Sequence, residues 1–183
     1  MNFEDFGLGQ AASEIRTGKI SPVEYLQALL SRIEKLEPKL HGWVTIDGKR
    51  ALQEAKVCEA EVRAGAFRGP LHGVPIGLKD IFRTKGLRTT AGSRFLQNYV
   101  PDYDAASVTR LKQSGAIIMG KAVTTEFATY DAGPSRNPWN PAHTPGGSSS
   151  GSAVVVAASM CPAATGTQTV GSIGRPAAYC GIV

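Results

Sequence analysis

Apolar residues recur at helical spacing through Leu26, Leu29, Leu30, Ile33 and Leu36, the one-sided stripe of an amphipathic helix. Ser21-Pro22-Val23-Glu24 precedes that stripe. A serine cap, a proline at the first helical position and a glutamate three residues after the cap form a capping box, which predicts a helix over 22–37. Trp43-Val44-Thr45-Ile46 reads as a short strand,. Asp47 stands near the start of a second amphipathic helix with Leu52, Ala55, Cys58 or Val57, and Val62 inward, closed by Gly65, Gly69 and Pro70,. In LHGVPIGLKDIF, Val74, Ile76 and Leu78 alternate as in a strand. A helix over about 105–114 follows, with Asp104 as its cap and Gly115 as its stop, and then the strand AIIMGKAV,.

Strands alternating with helices of about ten residues predict an α/β layer architecture with substantial parallel pairing. No internal repeat interrupts it. Residues 133–147 (GPSRNPWNPAHTPGG) contain four prolines and form an irregular connector, of the kind that is functional when it lies in a compact domain. Beyond it, SAVVVAASM (152–160) is small and apolar on every side, which suits a fully buried helix,. Trp139 is expected to pack within the connector.

The chain has 183 residues, 42% of them hydrophobic and 19% charged. That suits one globular domain and excludes a long disordered region, a collagen-like fibre or a membrane-spanning helix. The distribution of charge is more informative than its amount. Residues 137–183 contain a single charged side chain, Arg175, so this long tail is expected to be buried, against this chain or against something absent from it. The net charge of +5 does not indicate nucleic acid, because the basic residues are interleaved with Asp and Glu and never cluster beyond pairs such as Lys49-Arg50. Cys58, Cys161 and Cys180 are odd in number and lack C-x-x-C spacing, so neither a disulfide framework nor a zinc site is expected. With Glu4 and Asp5 where a signal peptide would be basic, the expected location is the cytoplasm,.

Three patterns in the tail bear on chemistry. Gly166-Thr-Gln-Thr-Val-Gly171 has the glycine spacing of a phosphate-binding loop, but Ser172 and Ile173 follow where that loop needs lysine and then a hydroxyl,. Gly147-Ser148-Ser149-Ser150-Gly151 satisfies G-x-S-x-G with Ser149 central. A nucleophile elbow, however, needs a strand leading into it, and the proline-rich 137–145 cannot supply one. No Asp, Glu or His follows His143 to complete a triad. The third pattern joins the other two to a distant lysine: GVPIGLKD with Lys79, GGSSSGS with Ser148, and GTQTVGSIGRPA with Ser172.

In that order and spacing, with the serines separated by 24 positions, these segments resemble the amidase signature family of serine amidohydrolases from about residue 20 to the end of the chain. The resemblance implies an amidase-signature fold, a mixed central sheet flanked by helices, of which this chain holds the N-terminal portion: 1–65 as N-terminal helices and 66–183 as the start of the catalytic core. It implies a Ser-Ser-Lys triad in which Ser172 is the acyl nucleophile, Ser148 relays its proton through a hydroxyl placed by a cis peptide, and Lys79 is the base, without cofactor or metal. Gly147 and Ser149 would support the loop, and the backbone N–H groups of Thr169, Val170, Gly171 and Ser172 would form the oxyanion hole. Lysine serves as a base only when neutral, so burial beside Ile76 and Leu78 must lower its pKa.

Three positions depart from the commoner family string GTDTGGSIR: Gln168 replaces the aspartate, Val170 the first glycine and Gly174 the arginine. Losing both members of an acid–base pair leaves no charge stranded, and Arg175 is placed to take over part of the role. Val170 resists positive φ and would be strained if the turn demanded it. His72 and His143 read as loop or structural residues, neither having a metal-like partner at helix or strand spacing. The implied activity is hydrolysis of a carboxylic amide through an acyl-enzyme. The alternatives are a glutaminase like the A subunit of glutamyl-tRNA amidotransferase, and a catalytically silent fragment or binding module. The expected partners are a small-molecule amide and, for the protein itself, a homo-oligomer, with no direct contact to nucleic acid or membrane. The chain's last residues, Cys180 to Val183, read as the beginning of a strand.

Overall fold

The computed structural model describes Phe3 and residues 6–183; Met1, Asn2, Glu4 and Asp5, and with them the acidic start of the chain, lie outside the described residues. The elements run α1 (Leu8–Arg16), α2 (Pro22–Leu40), β1 (Trp43–Ile46), α3 (Gly48–Arg63), β2 (Pro75–Lys79), α4 (Ala106–Gln113), β3 (Ile117–Ala122), α5 (Ser150–Ala157) and α6 (Gly174–Cys180). No helix among the described residues is long and apolar enough to cross a membrane.

The capping box acts as its residues require: Ser21 Oγ accepts the Val23 and Glu24 N–H groups at 3.0 and 3.2 Å. Helix α2 continues past the predicted end to Leu40 and stops at His41, whose φ is 49°. The Glu37 carboxylate reaches over that end to the Gly42 and Trp43 N–H groups at 3.0 and 2.9 Å, tying α2 directly to β1. Helix α3 buries Ala51, Ala55 and Cys58, while Val57 is exposed. The cap of α4 differs from expectation. Ala105 occupies the cap position without a side-chain bond, because Asp104 is engaged elsewhere, by the Lys85 N–H at 2.8 Å and the Lys112 ammonium at 2.6 Å.

The sheet order is β1-β3-β2. Strands β2 and β3 are parallel, whereas β1 pairs antiparallel with β3, so the sheet is mixed. Both β2 and β3 are buried along their whole length, as strands covered on both faces must be. The free edge of β2 is closed by residues 163–165: Gly77 donates to Ala163 O at 3.1 Å and Thr165 donates to Gly77 O at 2.9 Å. Helix α5 packs its backbone against the end of β3, with the Gly151 N–H on Val123 O at 2.9 Å.

Three expectations for the tail fail. Residues 180–183 do not begin a strand; Gly181 at φ 71° caps α6, and the Ile182 N–H returns to Ala177 O at 3.0 Å. Trp139 is not packed in the connector but is 76% exposed, its ring anchored through Nε1–H to Cys180 O at 2.8 Å. The tail is also not uniformly buried. Helix α5 is, whereas Val170 and Ile173 in the turn before α6 and Tyr179 within α6 are exposed.

Candidate active site

Lys79 is the last residue of β2 and has no solvent exposure. Its Nζ donates to Ser148 Oγ at 2.7 Å and to Thr167 Oγ1 at 2.8 Å, and its backbone N–H donates to Thr165 Oγ1 at 3.1 Å. Among the described residues no carboxylate pairs with it. Burial therefore acts unopposed and lowers its pKa to about 8, since removal from water penalises the charged form. Ser148 follows a cis peptide bond from Gly147, and its carbonyl accepts the Thr125 N–H at 3.1 Å.

The loop of Ser148 and the turn of Ser172 are linked through Ser149. Its N–H donates to Ser172 O at 3.0 Å, and its hydroxyl exchanges hydrogen bonds with the Thr167 backbone at 3.2 and 3.3 Å. Ser149 is buried and fully engaged, so it is a tether. Ser148 and Ser172 line one cavity of about 580 Å³ together with Thr169, Val170 and Gly171. Among the described residues their two hydroxyls are not hydrogen-bonded to each other, and the N–H groups of Thr169 to Ser172 have no protein acceptor.

The departures in this turn have a local explanation. Gln168 Oε1 accepts the Ile173 and Gly174 N–H groups at 2.9 and 2.8 Å, so a neutral amide caps the start of α6 and no counter-charge is needed. Arg175 does not replace the absent arginine in an ion pair: among the described residues its side chain has no acidic partner. It lies over Gly171, with Nη2 3.4 Å from where a Cβ would stand. Val170 is not among the residues with positive φ. Its side chain is 79% exposed, so the expected strain does not arise.

Other polar groups of the site escaped the sequence reading. Thr167 lies in the stretch that carries Ser172, where only the serine, the backbone N–H groups and the departures from the family string drew a reading. Lys121 lay in a segment read simply as strand, yet it is as buried as Lys79. Its Nζ donates to Phe82 O at 2.6 Å and Thr89 Oγ1 at 2.7 Å and faces Asp80 Oδ1 at 3.4 Å. Burial lowers its pKa to about 8, with Asp80 opposing that shift. Because Lys121 is registered with Leu78, it lies on the face of the sheet opposite Lys79. No sequence signal in the lysine itself distinguishes it; its partner precedes it by 41 residues.

His72 also has neighbours that spacing did not reveal. Ligand atoms of Cys58, Glu61 and His72 lie within 4.8 Å of one another. Their bonding is internal, however: His72 Nδ1 accepts the Arg68 N–H at 3.2 Å and Nε2 lies 3.1 Å from Cys58 O. Glu61 is held by Arg68 at 2.8 Å, and burial pushes the Cys58 thiol up to about 11. The group is a hydrogen-bonded plug beneath α3.

The fold and site define an α/β protein built around a buried lysine–serine pair next to a glycine-rich turn. The chain matches the Amidase family model over residues 24–183 and belongs to that family. It is 44% identical over its whole length to the A subunit of the glutamyl-tRNA(Gln) amidotransferase of Lachnospira eligens, covering 39% of that protein. It is 47% identical over 96% of its length to the corresponding protein of Methylococcus capsulatus, covering 37% of it. Among solved structures, the peptide amidase of Stenotrophomonas maltophilia superposes with a TM-score of 0.89 at 38% identity, over 97% of this chain and 39% of that one. Fatty acid amide hydrolase superposes at 0.91 with 26% identity, over 97% of this chain and 32% of that one. The chain thus spans less than half the length of each of these relatives.

Proposed function

We propose that the protein to which these residues belong hydrolyses a carboxylic amide through an acyl-enzyme on Ser172. The observation that carries this reading is the 2.7 Å hydrogen bond from the fully buried Lys79 Nζ to Ser148 Oγ. When neutral, Lys79 accepts the Ser148 proton while Ser148 accepts that of Ser172, whose oxygen attacks the amide carbonyl. The tetrahedral intermediate places its oxyanion near the N–H groups of Thr169 to Ser172, donors worth about 3 kcal/mol each in other serine enzymes. Collapse breaks the C–N bond, and the departing amine takes a proton back along the same relay. Water then repeats the sequence on the ester, releasing the acid and restoring Ser172. Gly147 and Ser149 hold the loop, and no metal or organic cofactor is required by this chemistry.

Residues 66–183 are read as the start of the catalytic core and 1–65 as the helical lead into it. The cytoplasm is the proposed location, in keeping with Cys58, Cys161 and Cys180 being free and buried. A second reading is favoured by the relatives at 44% and 47% identity: a glutaminase that passes ammonia to partner proteins. Ammonia release from simple amides, lost in Ser172→Ala, supports the amidase. Release from glutamine only with partner proteins supports the second reading, and no labelling of Ser172 by a fluorophosphonate under either condition leaves the binding module.

A further inference from the structure

Lys79 and Asp80 are neighbours in sequence, yet both of their lines of contact end on Ser148. Lys79 reaches its hydroxyl directly. Asp80, with no solvent exposure, accepts the Thr90 N–H at 2.9 Å and the Thr90 hydroxyl through Oδ2, and its carbonyl accepts the Ala91 N–H at 2.8 Å. Ala91 O in turn accepts the Phe127 N–H at 2.8 Å. The turn around Phe127 closes on Thr125 through Ala128 N–H to Thr125 O at 3.0 Å and Thr125 Oγ1 to Thr129 O at 2.7 Å. Thr125 N–H then holds Ser148 O at 3.1 Å.

This second line passes through unfavourable backbone. Ala91, Phe127 and Ala128 have φ of 51°, 46° and 59°, a region that non-glycine residues occupy only where their surroundings impose it. Gly92 fits between the two turns because a Cβ there would stand 2.8 Å from Thr124 O and 3.0 Å from Thr125 O. The Asp80 carboxylate at the root of the line is countered by Lys121 at 3.4 Å.

We infer that Asp80 is a positioning residue for Ser148, gripping its backbone through the 90–92 and 125–129 turns while Lys79 grips its hydroxyl. This rests on the proposed role of Ser148 as proton relay. A merely structural role predicts that rate and stability fall together. A positioning role predicts that they separate, because glycine at a left-handed position relieves strain while loosening the grip.

The test uses the whole protein to which these residues belong, with Thr90→Val, Thr90→Ser and the double variant Ala91→Gly/Ala128→Gly. Amide hydrogen exchange at Thr125 should accelerate about tenfold in Thr90→Val and in the glycine variant relative to the β3 amides, and return to wild type in Thr90→Ser. Fluorophosphonate labelling of Ser172 should slow about tenfold in the same two variants, with the thermal midpoint of the glycine variant at or above wild type. Unchanged Thr125 exchange in both variants overturns the inference, and so does faster exchange with an undiminished labelling rate. If wild-type Ser172 takes no label, the proposed function fails, while the exchange data still decide whether Asp80 holds Ser148.

Discussion

The backbone N–H of Ser149 donates to the carbonyl of Ser172 at 3.0 Å, so the loop of one candidate serine and the turn of the other share a hydrogen bond at the start of α5. Neither loop can shift without the other. This explains how two segments 24 residues apart, both rich in glycine and small residues, hold a defined relation to a lysine at the end of a strand.

Lys79 makes the fold pH-dependent. Its folded-state pKa is lowered from 10.5 to about 8 by burial, so the unfolded chain takes up the proton first. The stability present above 10.5 is lost as pH falls towards about 8, by an amount on the order of 3 kcal/mol. Urea unfolding at about pH 7.5 and about pH 10.5 should show Lys79→Met gaining that much on wild type at the lower pH. Labelling of Ser172 should rise with pH through about 8 in wild type and be severely reduced in Lys79→Met at every pH.

Gln168 should matter to the start of α6 despite its exposure. Gln168→Ala removes the acceptor for the Ile173 and Gly174 N–H groups, and a loss of about 1 kcal/mol is expected. Hydrogen exchange should accelerate at those two amides and little elsewhere. Val170→Gly, at an exposed position without positive φ, should change stability by less than about 0.5 kcal/mol.

Gly151 marks the closest approach of α5 to the sheet. A Cβ there would lie 2.2 Å from Val123 N and 2.3 Å from Gly42 O, both backbone atoms. Gly151→Ala should therefore cost about 3 kcal/mol or more, read as a lower urea midpoint or loss of soluble protein. Gly174→Ala, whose nearest neighbour is the Gln168 side chain at 3.6 Å, should be tolerated.

What could be read from the chain was what is local or carried by ordered motifs. Ser21 announces α2, Trp43 to Ile46 is the strand their composition predicts, and the segments of Ser148 and Ser172 line one cavity, with Lys79 bonded to Ser148. What escaped depends on distant partners. Asp104 looks like a cap until Lys85 and Lys112 claim its carboxylate. Thr167 is an ordinary hydroxyl until the fold sets it 2.8 Å from a lysine 88 residues earlier. Helix α6 was hidden because its cap, Gln168, stands five residues before the first amide it satisfies, outside the spacing of a capping box.

The opposite placement of Lys79 and Lys121 on the sheet has a consequence for how the site can change. One strand pair carries two buried amines on opposite faces, one facing the Asp80 carboxylate and the other bonded through its Nζ to hydroxyls. Lys79 has no carboxylate partner among the described residues, so loss of its proton breaks no ion pair of its own. The basicity of Lys79 and the charge balance of Lys121 are therefore set by different neighbours, and their lines of contact meet again only at Ser148, through the turns rooted on Asp80.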